Sequence, residues 1–368
     1  MRIAILGTRG IPARYGGFET FAEELSVRLA ERGHQVRVYC RERYSQPEYR
    51  GVVLRFLPSI RHKYFDTLAH TFLSTLHLLA DRVDAALYCN GANAIFTPAP
   101  RLFGMPVALN VDGLERKRKK WNRLAKGWYG LSEWLATFCP NAVVTDARSI
   151  QEYYKERYGK LTVFIPYGAE IGKTPPGETL RRLGLEPGRY FLYVSRMEPE
   201  NNPLLVRECF ERVQTDMRLA LIGDAPYAQD YIKQVRDTSD ERVVIPGAIY
   251  GEGYHELCSN CFAYVHATEV GGTHPALIEA MGRGAVVLYL DTRENAEVAG
   301  GAGIPFEDDL TARMEMVLAM SEAQRDEYRR KAVERVRERY SWEAVTDAYE
   351  KLLQSFIEKG EPKPGSHQ

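Results

Sequence analysis

The feature that most limits what this chain can fold into is an alternation of short apolar runs with amphipathic helical stretches, and it occurs twice. In the first half Ile3-Ala-Ile-Leu6 stops at Gly7, Phe18 to Leu29 has helical spacing, Arg32-Gly-His34 interrupts, and Val36-Arg-Val-Tyr39 alternates as a strand. Val52 to Phe56, Ala85 to Tyr88, Val107 to Val111 and Ala142 to Thr145 are further strand candidates, and Thr67 to Leu79 reads as a helix. The pattern resumes at Tyr190-Phe-Leu-Tyr-Val194, Arg218 to Ile222, Val243-Val-Ile245 and Val286 to Leu290. Strand-helix-strand order predicts parallel sheets covered by helices, so the expected class is α/β with two Rossmann-like, doubly wound domains. A chain of 368 residues is long enough for two cores. The breaker cluster Gly172-Lys-Thr-Pro-Pro-Gly177 is the best linker candidate, giving domains 1–170 and 171–340. Ser341 suits the N-cap of a last helix over 341–358, and the Pro- and Gly-containing tail 359–368 is expected to be disordered.

Composition removes several function classes. Lys+Arg and Asp+Glu both total 49, so no global field selects a nucleic acid partner, and any charge argument must be local. No apolar run approaches the ~20 residues of a spanning helix. The first residues are interrupted by Thr8-Arg9 too soon for a signal peptide, so a cytoplasmic location is expected. The six cysteines are scattered except for Cys258 and Cys261, a pattern that reads as reduced thiols. With only His255 nearby that pair is a weak zinc signal, and His70 and His77 lack an evident third ligand. The loop Gly7 to Gly17 is too long, and its glycines wrongly spaced, for a dinucleotide fingerprint, and the second strand ends Tyr39-Cys-Arg41 without the acid that holds an adenosine ribose. A nicotinamide enzyme is therefore disfavoured.

The stretch Val270-Gly-Gly-Thr-His-Pro-Ala-Leu-Ile-Glu-Ala-Met281 is the strongest functional signal. Two glycines, Thr273, His274 and a proline lead straight into a helix, whose unpaired N–H groups and positive dipole end suit a phosphate, and Gly271 and Gly272 allow close approach. Glu279 falls on an otherwise apolar segment. A ribose diol would satisfy it, since one carboxylate accepts from two hydroxyls. A lysine or solvent would also do, and these residues leave both readings open. The long loop after the first strand, with Arg9, Arg14, Gly16 and Gly17, should line the working crevice, because loops at strand C-termini do so in open α/β sheets.

Val-Gly-Gly-Thr-His-Pro-Ala-Leu-Ile-Glu-Ala-Met-Gly-Arg-Gly, residues 270–284, resembles the donor-binding helix of the retaining, two-Rossmann (GT-B) glycosyltransferases, most closely the bacterial polysaccharide rhamnosyltransferase subgroup. The resemblance runs from Gly7 to about Ser341. It implies two domains facing across a cleft, with the last helix crossing back to the first domain. It also implies a nucleotide-diphosphate sugar donor, best dTDP-L-rhamnose, and a lipid-linked acceptor. The wider family carries two glutamates in this motif; here Glu279 is the second and Gly271 stands at the first. Gly16-Gly-Phe-Glu19 matches a motif that lies beside the donor diphosphate and acceptor. Asn110-Val-Asp-Gly-Leu-Glu-Arg-Lys-Arg-Lys-Lys-Trp121 matches the subgroup, and makes Asp112 the candidate for contacting the sugar or the acceptor hydroxyl; a turn former before Gly113 is the other reading.

Arg196 follows a strand end as a diphosphate clamp should, with an ion pair to Glu198 or Glu200 as its alternative. The family often has a lysine where this chain has Asn201, and Arg9, Arg14 or Arg283 are the candidate replacements. Ile249 or Tyr250 would pack on the donor base. Arg116, Lys117, Arg118, Lys119 and Lys120, with Trp121, suit contact with an anionic membrane or the acceptor; a solvated basic face explains the same letters. No Asp-x-Asp occurs, so neither a metal nor another cofactor is expected, and the diphosphate should be neutralised by backbone N–H groups and Arg196. The expected function is a retaining glycosyltransferase, peripheral on the cytoplasmic membrane face. A UDP- or GDP-sugar enzyme of the same fold, a sugar-nucleotide 2-epimerase and a noncatalytic sugar-nucleotide-binding protein are the alternatives.

Overall fold

The computed structural model describes residues 1–13, 16–60, 65–117, 122–225 and 228–358. Two compact units result, each with its own core. One holds Met1–Lys117, 122–167 and the helix Trp342–Glu358; the other holds Gly168–Ser341.

The first unit is built on β1 (Arg2–Leu6), β2 (Gln35–Cys40), β3 (Glu48–Tyr49), β4 (Val52–Phe56), β5 (Ala85–Cys89), β6 (Val107–Asn110), β7 (Ala142–Thr145) and β8 (Val163–Phe164), in the order β3-β4-β2-β1-β5-β6-β7-β8. Every pair is parallel except β3 with β4, a short hairpin that the sequence pattern did not mark. Burial explains the composition of the strands. Central β5 is buried at all five positions and is apolar throughout, whereas β4, near the edge, alternates buried and open positions. The segment between β5 and β6 is a short turn of helix, Gly91–Phe96, followed by Pro98–Leu102, because prolines 98 and 100 end any longer helix.

The second unit has β9 (Tyr190–Val194), β10 (Arg218–Ile222), β11 (Val243–Gly247), β12 (Ala263–His266), β13 (Val287–Leu290) and β14 (Ile304–Phe306), all parallel, ordered β11-β10-β9-β12-β13-β14. Its core joins Phe191, Leu219, Val265 and Leu288 from the strands to Val206, Phe210 and Val317 from the helices. In both sheets the chain leaves the first strand to one side and later returns on the other. The points where strand order reverses are β1/β5 and β9/β12, and ligands of open α/β sheets bind outside the strand ends there.

Candidate active site

The C-terminal ends of β9, β12 and β13 are tied into one rim. Tyr193 at the end of β9 donates its hydroxyl to the carbonyl of Asn201 at 2.6 Å, and Asn201 Nδ2 donates to the carbonyl of Arg196 at 2.7 Å. The turn that presents Arg196 is thus closed on itself. Asn202 Nδ2 then donates to the carbonyl of Ala267 at 3.0 Å and to Glu269 Oε1 at 3.1 Å, while Glu269 N–H returns to the carbonyl of Glu200 at 2.9 Å. From the other side Asn295 Nδ2 donates to the carbonyls of Thr268 at 3.0 Å and Leu290 at 2.9 Å, and its Oδ1 meets His274 Nδ1 at 2.6 Å. Three loops far apart in sequence are fixed relative to one another before any ligand arrives, which is how a polar site is held ready.

The helix Pro275–Gly282 starts on this rim, beside the β9/β12 reversal, with Pro275 at its first turn and His274 as N-cap in an extended conformation. Gly272, Thr273 and His274 are buried; Gly271 and Glu279 are partly open. The His274 ring explains Gly271, since a Cβ there would lie 2.0 Å from His274 Nε2. His266, at the end of β12, packs against His274 with ring centroids 4.9 Å apart. Burial, with His274 beside it, holds the His266 imidazole well below its usual pKa, so it is neutral. Glu279 sits near Tyr254, whose phenol is pushed up by burial first and then by Cys258 and Glu279.

The first unit presents a second rim. Asp112 follows β6 in the left-handed region, φ 56°, an uncommon place for a residue with a side chain. Asn110 Oδ1 accepts its N–H at 3.0 Å, and Asn110 Nδ2 donates to the hydroxyl of Tyr349, on the helix Trp342–Glu358, at 2.8 Å. The buried Tyr167 hydroxyl reaches Asp112 Oδ1 at 3.5 Å. Burial raises the pKa of Tyr167 and Tyr349, and the negative fields of Asp112 and of the buried Asp146 after β7 add to it. Gly7 ends β1 at φ 92°, where a Cβ would come within 2.2 Å of the carbonyl of Cys89. The loop beyond it is pinned by Glu19 Oε1, which accepts Arg9 N–H at 2.9 Å; burial pushes the Glu19 carboxyl above its usual pKa.

The sequence profile described as Glycosyltransferase Family 4 matches residues 15–171, and the one described as Glycosyl transferases group 1 matches residues 188–322. The chain has a GT-B fold, and each of its two halves carries a glycosyltransferase profile. A lipopolysaccharide 1,2-N-acetylglucosaminetransferase of Salmonella typhimurium is 24% identical over 240 residues, spanning 59% of this chain and 63% of that relative's length. Among solved structures, Anabaena HepE in complex with UDP-glucose has a TM-score of 0.79 at 15% identity, covering 96% of this chain and 100% of its own. Sucrose-phosphate synthase from Thermosynechococcus elongatus has a TM-score of 0.78 at 18% identity, covering 98% and 100%. WaaG, a glycosyltransferase involved in lipopolysaccharide biosynthesis, has a TM-score of 0.72 at 15% identity, covering 97% and 99%.

The sequence-selected residues divide by rim. Arg196, Asn201, Gly271, Gly272, Thr273, His274 and Glu279 belong to the second unit's rim. Arg196 Nε lies 3.9 Å from Glu198, the outer limit of an ion pair. Tyr250, after β11, is half exposed. Gly16 and Gly17, at the start of the helix Gly17–Glu31, and Asp112 belong to the first unit. Gly16 is in extended backbone that any residue adopts. Arg283, one candidate for the missing lysine, is turned to the carbonyl of Gly172 at 3.4 Å and to Glu170 at 3.7 Å. Arg14 lies outside the described residues, as do Arg118, Lys119, Lys120, Trp121, the side chain of Lys117 and the tail 359–368.

Arg116 corrects the expectation of a basic contact surface beginning there. Its Nε is 3.1 and 3.0 Å from the two oxygens of Glu133, and it also donates to the Tyr153 hydroxyl, so its charge is spent inside the unit. Cys258 and Cys261 are buried, with burial pushing the Cys261 thiol up to about 12; they are core residues, and the Cys261 thiol donates to the carbonyl of Cys258 at 3.3 Å. Sequence reasoning missed Asn295, Asn202 and Tyr349. Each acts through a partner remote in sequence, and an asparagine or tyrosine read singly carries no such signal.

Proposed function

We propose that this glycosyltransferase moves a sugar, best L-rhamnose from dTDP-L-rhamnose, onto a lipid-linked or glycan acceptor during surface polysaccharide assembly. The observation that carries it is the glycine turn at the mouth of the helix Pro275–Gly282, standing at a strand-order reversal with Glu279 one turn inside and Arg196 on the same knitted rim. The donor diphosphate sits on the N–H groups at 272–274, with the helix dipole and Arg196 stabilising charge on the leaving group. Glu279 accepts from the ribose hydroxyls. Asp112 takes the sugar or the acceptor hydroxyl. Attack comes from the leaving-group face with retention, the departing phosphate receiving the acceptor proton, and no metal is required.

A UDP-sugar donor is the second reading, favoured by the likeness to HepE in complex with UDP-glucose. Thermal shift with dTDP-, UDP- and GDP-sugars, followed by transfer assays in EDTA, tests both. Glu279→Ala should weaken donor binding by about tenfold or more, roughly 1.4 kcal/mol. Arg196→Ala should lower kcat by about 10²-fold with a smaller effect on donor affinity. Wild-type binding and turnover in both variants, or activity that EDTA abolishes, would refute the site as drawn.

A further inference from the structure

A turn that needed only its backbone would not need an aspartate at 112. The left-handed φ of 56° is taken most readily by glycine, and Gly113 stands next in the chain. The backbone of the turn is also fixed without the carboxylate, since Asn110 Oδ1 accepts the Asp112 N–H at 3.0 Å. What the side chain adds is a negative charge, in surroundings that make it costly. Burial is the first cause that raises the pKa of Tyr167, Tyr349 and Cys89, and the field of Asp112 adds to it at all three. The buried Asp146 acts on the same two phenols. A left-handed backbone and two carboxylates around buried phenols are conflicts of the kind that folds keep where the charge is used.

Tyr167 is held so that its hydroxyl points one way. It follows β8, is 3% exposed, and meets two rings of the helix Gly17–Glu31 edge-on: Phe21, with centroids 5.4 Å apart at 88°, and Phe18, 6.4 Å apart at 75°. Close packing with aromatic neighbours on two sides leaves the ring little room to turn. Its hydroxyl lies 3.5 Å from Asp112 Oδ1, while the neighbouring Tyr349 hydroxyl is engaged by Asn110 Nδ2 at 2.8 Å. Burial and then the fields of Asp112 and Asp146 keep the Tyr167 phenol protonated, so the phenol donates and the carboxylate accepts. The contact is longer than the usual ~2.8 Å of an O–H···O bond, and such contacts in a ligand-free site tighten in the reacting complex. Asp112 itself is partly open, so a hydroxyl from solution can reach it.

We propose that Tyr167 is a positioning residue for Asp112: its phenol takes Oδ1 and so turns the carboxylate to present Oδ2 to the substrate hydroxyl. The inference rests on the assignment of Asp112 to the sugar or the acceptor hydroxyl, and two separate measurements keep the two claims apart. The first needs no substrate. The full chain, labelled with carbon-13 at the aspartate carboxyls, is titrated by NMR, the Asp112 signal being the one absent from Asp112→Asn. Tyr167→Phe keeps the ring and drops the hydroxyl. Its Asp112 signal should titrate at higher pH than that of wild type, because a hydrogen bond to the ionised form favours that form. The other titratable groups whose fields reach the phenol, Asp146, Tyr349 and Cys89, are the same in both proteins.

The second measurement is release of the nucleoside diphosphate from dTDP-L-rhamnose and from UDP-glucose, with water as acceptor. Tyr167→Phe should lower kcat by about tenfold and leave KM for the donor within about twofold, since the tyrosine acts on the carboxylate and not on the nucleotide. In the Asp112→Asn background the same change should do almost nothing more, because a residue that works through another loses its effect once that other is gone. An Asp112 signal that titrates alike in wild type and Tyr167→Phe overturns the proposal. So does an equal loss of kcat from the tyrosine change with and without Asp112, which would give Tyr167 a role in stability alone. A shifted titration together with wild-type turnover in Asp112→Asn would locate the failure in the Asp112 assignment: the contact would stand, and its use in the reaction would not.

Discussion

Position 271 is glycine, and the reason lies three residues on. His274 is buried and anchored through Nδ1 to Asn295, so its ring cannot swing away from a Cβ 2.0 Å off Nε2. Gly271→Ala should therefore cost about 1–3 kcal/mol by overpacking. The same change made with His274→Ala should cost less than the two single changes predict together. Melting curves of the four proteins in that cycle measure the coupling, and strict additivity would mean that residue 271 is glycine for another reason. That Gly271, His274, Glu279 and Arg196 would share a rim was legible in the sequence, because glycines, a helix start and strand ends are local signals. That the His274 ring occupies the space beside 271 was not, since it depends on Asn295 being pulled across from β13 by two carbonyls. The inward turn of Arg116 was hidden for the same reason: a run of cations reads alike whichever member has a buried Glu133 behind it.

At the scale of elements, the helix Trp342–Glu358 does more than close the first unit. Through Tyr349 it supports Asn110, and through Asn110 the left-handed turn that sets Asp112. Tyr349→Phe keeps the packing against Phe21, whose ring centroid is 5.2 Å away, but leaves a buried Asn110 N–H group without its acceptor, a loss of about 1–3 kcal/mol. If Asp112 serves the reacting groups, kcat should fall while KM for the donor stays near wild type. An equal change in both would assign Tyr349 to stability alone.

The far side of the helix is held by charge. Arg32 meets Glu343 at 2.8 Å, with Asp347 and Glu350 each at 2.7 Å, and His34 Nε2 lies 2.6 Å from Glu350. The His34 hydrogen bond is the main cause that holds the Glu350 carboxyl below its usual range. A depressed carboxyl pKa adds stability that is fully present above the unfolded value and disappears as pH falls through the folded one. Urea midpoints taken from neutral pH downward should thus separate wild type from Glu350→Gln at neutral pH and bring them together in acid. A gap that widens in acid would contradict the assignment. The alternation of strands and helices was readable in the sequence, whereas the docking of this last helix rests on pairs more than 300 residues apart that no local pattern records.

For the whole molecule, the two cores have separate memberships, and the chain distributes its chromophores unevenly between them. The three described tryptophans, at 128, 134 and 342, fall in the first unit, while the proposed nucleotide rim belongs entirely to the second. Tryptophan emission therefore reports chiefly the first unit, and far-ultraviolet circular dichroism reports both. A nucleotide that binds only the folded second unit stabilises it by RT ln(1 + [L]/Kd), about 2.7 kcal/mol at a hundredfold excess over Kd. With UDP or dTDP present, a denaturant transition followed by circular dichroism should move to higher concentration while the tryptophan transition moves less, because each core answers first to its own contacts. Coincident shifts by both probes would show instead that the units unfold as a single cooperative body. A shift seen by tryptophan alone would place the nucleotide on the first unit and remove the helix mouth at 271–275 as its seat.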